Sequence, residues 1–228
     1  RTWFDQESIA AGTPDFQQEI HRGIESADIC LFILSPRSVN SPYCADEVEY
    51  AASLNKRLVT LLHQAVDPAR LHPQLAKVQW LDFNQYEGDF SANFTELLHI
   101  LNTDGTYLQA HTHWLLKAIE WDKKGRKESL LLRDDELTEA EGWLALSVGK
   151  DPQPTQLQQT YIANSRLVEN AHRQATQILT SAAIQAKRQL WMAAGVSTLL
   201  LLLAGFVTWQ GWIKNQVAET KLKTLHSS

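Results

Sequence analysis

Two short apolar runs, "DICLFILS" (residues 28–35) and "RLVTLLH" (57–63), flank a helical pattern from Pro42 to Asn55. This constrains the chain more than any other feature. Two apolar strands joined by a helix cannot form a hairpin. They must lie parallel, with the helix crossing over one face in a right-handed turn. A strand that is apolar at nearly every position, as 28–35 is, is expected to be central and covered on both faces. The pattern extends on both sides. "TWFD" reads as a further short strand, and "FQQEIHRGIESA" as a helix with Phe16, Ile20 and Ile24 on one face. "PARLHPQLAKV" is a weak helix or loop, "QWLDF" a strand and "FSANFTELLHIL" a closing helix. The expected fold class is α/β, built of βαβ units with a mostly parallel sheet.

Beyond that region the strands stop. "HTHWLLKAIEWDKKGRK" and "LTEAEGWLALSVGK" read as two helices of a connector over 106–154. Thr138 and Glu141 have capping-box spacing, Gly149 is the expected stop, and "KDPQP" reads as a linker. A polar helix follows over 155–190, opened by the same spacing at Thr155 and Gln158. Leu157, Tyr161, Asn164, Val168, Ala171, Ala175, Ile178 and Ala182 recur at steps of four and three, a weak heptad seam. It suits either a lone helix resting on its neighbours or a self-associating stalk. No charge occurs between Arg188 and Lys214, a stretch of about 25 residues. At about 1.5 Å per residue that length crosses a hydrocarbon layer of about 30 Å. Trp191 at one end, with Trp209 and Trp212 at the other, suit the interfaces. A single-pass membrane helix over 191–213 and a tail over 214–228 are therefore expected. Lysines and arginines are balanced across it (Arg173, Lys187 and Arg188 against Lys214, Lys221 and Lys223), so charge does not select an orientation.

Composition narrows the function. The net charge of −5 offers no basic excess to neutralise phosphates, which argues against nucleic acid as partner. The two cysteines, Cys30 and Cys44, fall in a strand and at a helix start, so a disulfide framework is not expected and a reducing compartment fits. His111 and His113 are the one tight histidine pair and lack further ligands at metal spacing; no metal site is expected. The chain opens on "RTWFD" without an initiator Met and is read as part of a longer protein.

The chemistry-bearing stretch is "SPRSVNSPYCADEVEYAASLNK". With Ser41 as N-cap and Pro42 as first helical residue, Cys44, Val48 and Ala51 must face the sheet. Asp46 and Glu49 then point to water, while Glu47 alone of the three acids lies at the margin of the apolar arc. A helix-surface carboxylate aided by the N-terminal dipole would satisfy that geometry. So would an acid at the carboxyl end of a parallel strand, where open α/β sheets bind ligands.

From Trp3 through Glu47 the chain resembles the Toll/interleukin-1 receptor (TIR) domain, particularly its bacterial branch. The likeness rests on Trp3-Phe4-Asp5, Ile9 and Gly12, Ile20 and Ile24, Asp28, and Ser35-Pro36 followed by Ser41, Cys44 and Glu47. In that family a serine-x-aromatic-cysteine-x-x-glutamate pattern opens the third helix, and the glutamate is catalytic in members that cleave NAD. The resemblance covers residues 1–105 and implies a flavodoxin-like parallel sheet there, with Glu47 as catalytic carboxylate and Asp5, Gly12, Ser41, Tyr43 and Cys44 around the substrate. NAD would be substrate and not cofactor. The family's first strand would lie before Arg1, and Tyr43 stands where tryptophan is common. Residues 111–166 also resemble the helical connector that follows TIR domains in bacterial chains, where a transmembrane helix often comes next. Two functions follow as expectations. One is a membrane-anchored signalling or defence protein that cleaves NAD to nicotinamide and linear or cyclic ADP-ribose on assembly, its TIR domain in the cytoplasm. The alternative is a non-catalytic adaptor that recruits other TIR domains. Self-association through the TIR domain is expected, with the 157–182 helix adding to it if that helix is a stalk.

Overall fold

The computed structural model describes residues 2–4, 9, 15–84 and 90–225. They form two compact units, residues 1–169 and 170–228. In chain order the elements are α1 (Phe16–Ser26), β1 (Ile29–Leu34), α2 (Pro36–Val39), α3 (Pro42–Ser53), β2 (Arg57–Leu62), β3 (Trp80–Asp82), α4 (Phe90–Asn102), α5 (Gly105–Lys123), α6 (Asp134–Leu146) and α7 (Gln156–Leu225). Single 3₁₀ turns at Pro68–Arg70 and Leu75–Lys77 occupy the stretch expected to be weakly helical.

The three strands pair in the order β1-β2-β3, all parallel, with Ile29 opposite Arg57 and Thr60 opposite Trp80. This is the parallel pairing that the alternating pattern requires, and it is consistent with the flavodoxin-like fold that the resemblance implies. Leu34, Val48, Leu62 and Leu75 form its core, with α3 lying on one face of the sheet. The expectation that residues 28–35 are covered on both faces does not hold among the described residues. β1 is an edge strand of the observed sheet, and Leu31 and Ile33 are 43% and 49% exposed while Leu34 is fully buried. The period-2 alternation of a strand puts Leu31 and Ile33 together on the face that α3 leaves open. "TWFD" is likewise not a strand at the described positions 2–4. Trp3 instead lays its ring over Gly23 of α1, so closely that a Cβ there would come within 2.8 Å of it. Only glycine admits that approach.

The connector is larger than its sequence pattern suggests. α5 begins at Gly105, directly after Asp104 in left-handed backbone (φ 58), six residues before the expected start. α6 begins at Asp134, and the expected capping box at Thr138 and Glu141 does not form. Thr138 lies inside the helix and its hydroxyl donates to the Asp134 carbonyl (3.1 Å), while Glu141 pairs with Arg166 of α7. Three acids, Asp134, Asp135 and Glu136, favour the earlier start by meeting the positive end of the helix dipole. The box at Thr155 and Gln158 does form: the Thr155 amide donates to Gln158 Oε1 (2.7 Å) and the Gln158 amide to Thr155 Oγ1 (3.1 Å). Trp114, Trp121, Trp143, Tyr161 and Leu137 fill the core these helices share. The two histidines of "HTH" diverge, His111 buried edge-on to Trp143 and His113 against Trp114. Burial, with the Lys56 charge adding to it, pulls the His111 imidazole down to about 4, so it stays neutral.

This core also takes half of the expected seam. Tyr161, 2% exposed, and Leu157, packed against the same cluster, are committed to the connector, whereas Ala171, Ala175, Ile178 and Ala182 are exposed. Only the second half of the seam is free to meet another chain. In the second unit, α7 carries a stretch long and apolar enough to cross a membrane, with none of its apolar window buried.

The expected linker at 150–154 is docked onto the turn before β2. Asn55 donates to the Gln153 carbonyl (3.0 Å), and Arg57 donates to the carbonyls of Thr103 (2.9 Å) and Asp151 (2.5 Å). Between them Lys56 runs inward and is 5% exposed. Its ammonium donates to the carbonyls of Glu25 (2.9 Å) and Ala27 (2.7 Å) and to Thr112 Oγ1 of α5 (3.2 Å). Burial pulls the Lys56 ammonium down to about 8. Between that value and the ordinary lysine value of ~10.4, the unfolded chain holds a proton that the folded chain has released, so stability must rise with pH. The rise due to Lys56 is expected to be about 1 kcal/mol from pH 8 to pH 9. Urea unfolding of the parent and of Lys56→Met from pH 8 to pH 9 should show it as a difference in slope.

Candidate functional site

β1 delivers the chain to the carboxyl edge of the sheet at Leu34, whose carbonyl accepts from the amides of His63 (3.0 Å) and Gln64 (3.2 Å) beyond β2. Two prolines then set two helix starts in succession. Ser35 caps α2 through a reciprocal pair with Ser38: the Ser38 amide donates to Ser35 Oγ (3.2 Å) and the Ser35 amide to Ser38 Oγ (2.9 Å). The Ser38 hydroxyl also donates back to the Ile33 carbonyl (2.8 Å), holding this short helix against the strand end. Asn40 ends it, and Ser41 caps α3 with Pro42 at the first helical position. The Cys44 amide donates to Ser41 Oγ at 3.4 Å, a long bond that leaves the cap loosely made.

Along α3, Val48 and Ala51 are each 2% exposed and face the sheet. Cys44 and Glu47 are half-buried, while Asp46 and Glu49 are exposed. The three acids thus occupy different surroundings, in the order that helix geometry requires. Glu49 lies beside His72, Oε2 to Nε2 at 3.3 Å. The His72 Nδ1 accepts from the Gln74 amide, which leaves Nε2 as the side that carries the proton toward Glu49. Tyr43, one turn before Glu47, shares its face and is 70% exposed.

Tyr50, one turn after Glu47, turns that same face toward α1. Its ring stacks on His21 with centroids 3.8 Å apart, and its hydroxyl donates to Glu25 Oε1 at 2.7 Å. Burial and that hydrogen bond raise the Tyr50 phenol well above its usual range. α1, capped by Asp15 accepting from the Gln18 amide (3.1 Å), precedes β1 as α3 precedes β2, so the two helices start at the same edge of the sheet. Glu47, one turn before Tyr50, therefore lies on the α1 side of α3. A cavity of about 20 Å³ on the sheet side of α3, lined by Phe32, Val39, Cys44, Val48, His72 and Leu75 among others, has room for one water and does not include Glu47.

The structure brings Ser41, Tyr43, Cys44 and Glu47 together on the first two turns of α3. Asp5 and Gly12 lie outside the described residues. Both cysteines are free thiols. Among the described residues, no cluster of three or more His, Cys, Asp or Glu is placed to hold a metal ion. Glu25 and Lys56 escaped the sequence reading. Both look like ordinary solvated charges at the ends of a helix and a turn, and their partners are 25 to 98 positions away.

The model of the TIR domain family matches residues 1–98. With three parallel strands and α3 opening at the carboxyl edge, that match completes the assignment. Residues 1–98 form a TIR domain. A comparison with curated proteins finds no match. The TIR domain gives the chain a place in signal transduction or NAD cleavage in general, and such domains commonly self-associate.

The cap sets how firmly this site is seated. Ser41→Ala should destabilise the protein by roughly 0.5 to 1 kcal/mol, with Ser41→Gly nearer to neutral. Urea unfolding of the two variants against the parent measures both.

Proposed function

We propose that the TIR domain cleaves NAD to nicotinamide and ADP-ribose, linear or cyclic, when copies of the chain assemble at a membrane, with Glu47 as the catalytic carboxylate. The half-burial of Glu47, between the exposed Asp46 and Glu49, carries this reading. When the bond between nicotinamide and ribose breaks, nicotinamide leaves with the electron pair as a neutral molecule, and positive charge develops on the sugar. A carboxylate held against that sugar stabilises the charge without a metal. Water, or a ring nitrogen of the adenine, then closes on the anomeric carbon and releases a proton where it adds or leaves the ring charged. Partial burial strengthens the attraction, and the nearby helix N-terminus keeps the acid ionised in spite of it. Tyr43, on the same face, offers a ring for stacking. Asp5 and Gly12, in the stretch before α1, would close the other side, with Ser41 holding the helix start and Cys44 lying beneath.

Glu47→Gln should lower nicotinamide release by about a hundredfold or more at unchanged fold, whereas Asp46→Ala should stay within about twofold of the parent. Nicotinamide measured by chromatography after incubation of the full chain with NAD reads both. Equal losses in the two variants would sink the assignment. The 70% exposure of Tyr43 favours a second reading, in which α3 is an adaptor surface for another TIR domain. In that case the parent chain itself releases no nicotinamide.

The apolar stretch of α7 would anchor the assembly, with the TIR domain on the cytoplasmic side, where NAD is available and thiols stay reduced. The exposed Ala171, Ala175, Ile178 and Ala182 would add contacts between neighbouring chains. Full-length protein should stay with the membrane pellet through an alkaline wash. Replacing Leu201 and Leu202 with lysine should release it, because each central charge disfavours insertion by roughly 3 kcal/mol.

A further inference from the structure

The wall behind α3 is not made by the TIR domain alone. Glu25, at the end of α1, is 6% exposed, and its Oε1 accepts from two sides. Tyr50 OH of α3 donates to it at 2.7 Å, and Lys123 Nζ, at the end of connector helix α5, donates at 3.0 Å. One oxygen thus joins the helix that bears Glu47 to a helix outside the matched family region, which ends at residue 98. Around it the backbone is pinned as well. Lys56 holds the Glu25 and Ala27 carbonyls, and Thr112 of α5 donates to the same Ala27 carbonyl at 3.2 Å. The end of α1 therefore cannot swing freely to follow either partner. The Tyr50 ring, clamped against His21, leaves its hydroxyl one direction in which to donate. A shift of the end of α5 changes the charge balance on the shared oxygen, and with it the strength of the bond from Tyr50, three residues from Glu47.

We propose that Glu25 is a positioning residue through which the helical connector sets the seat of α3, and with it the placement of Glu47. The coupling stands on this geometry alone; its consequence for catalysis rests on the NAD-cleaving reading above. The connector then acts as more than a spacer. A change at the end of α5 is then passed to α3 through the Glu25 carboxylate.

Hydrogen exchange of the full chain in lipid nanodiscs, read on the peptide covering α3 with β2 as control, tests this without NAD. Tyr50→Phe should speed exchange in α3 about tenfold, the factor expected for a hydrogen bond to a charged group, and leave β2 unchanged. Lys123→Gln, whose site lies on another helix, should speed α3 about threefold, as suits a partly exposed ion pair. The double variant should be no faster than Tyr50→Phe alone, because both changes act on one oxygen. In a Glu25→Gln background, where the amide oxygen still accepts from Tyr50 but carries no charge, Lys123→Gln should have no further effect. In the nicotinamide assay, Lys123→Gln should lower kcat and leave KM unchanged, since placement and not binding is disturbed. An unchanged α3 in Lys123→Gln, effects that multiply in the double variant, or equal acceleration of β2 overturns the proposal. A parent chain that releases no nicotinamide overturns the catalytic reading and leaves the exchange result to decide the coupling.

Discussion

A buried ammonium holds the first unit together. Lys56 sits in the turn between α3 and β2, reaches past the sheet edge and satisfies its three donors on two carbonyls of the α1 terminus and a threonine of α5. Taking a charge out of water is unfavourable by several kcal/mol unless every donor finds an acceptor. Here the acceptors come from both sides of the boundary between the TIR domain and the connector. The side chain thus bridges the two parts through its hydrogen bonds, while burial of its charge works against them. The carbonyls it holds are also the last of α1, the negative end of that helix, which adds attraction. Arg57 and Asn55, on either side of Lys56, extend the junction through neutral carbonyls of the 103–153 stretch.

The opposite end of the sheet has the reverse character. Where the amino edge is closed by the connector, the carboxyl edge carries short, serine-capped helix starts and a half-buried carboxylate. A rigid base below an adjustable rim is what a site at the end of a parallel sheet requires, because the groups that meet a ligand must be placed without being sealed. Under the proposed reading, Glu47 would need burial for its charge to act strongly and a helix dipole and solvent to favour its charged form. Half-buried at the margin of the α3 arc, it has surroundings that the exposed Asp46 and Glu49, one residue before and two after it, lack.

Some of this was legible in the sequence and some was not, for reasons that differ by element. Parallel pairing of β1 and β2 followed from two apolar runs around a helix-length gap, since no other connection spans it. The start of α3 followed from Ser41 and Pro42, whose side chain and ring act within one turn. The ranking of Asp46, Glu47 and Glu49 by burial followed from 100° steps around a helix. The TWFD strand and the Thr138 box failed because a motif of a few residues does not carry its own context. A strand requires a partner, and a cap requires the helix to begin there. In the first half of the seam Leu157 and Tyr161 rest on the connector, one of the two readings that the sequence left open: a 3.5-residue repeat marks an apolar stripe without saying whether another chain or the chain's own helices cover it.

Local order and the periodicities of 2 and 3.6 belong to the sequence by itself, because they come from backbone geometry and the size and polarity of near neighbours. They determined the α/β class, the helical connector, the long apolar stretch of α7 and the place of Glu47 on its helix. Tertiary structure decided which charges are buried. Lys56 and Glu25 read as surface residues until α1, α3 and α5 converge on them, since the desolvation of a charge depends on groups far away in the chain. It decided also that the 150–154 stretch is a docking strap and not a free linker. Long-range contacts of this kind leave no periodic trace, because each is made once, between residues whose spacing in the chain has no bearing on their distance in space.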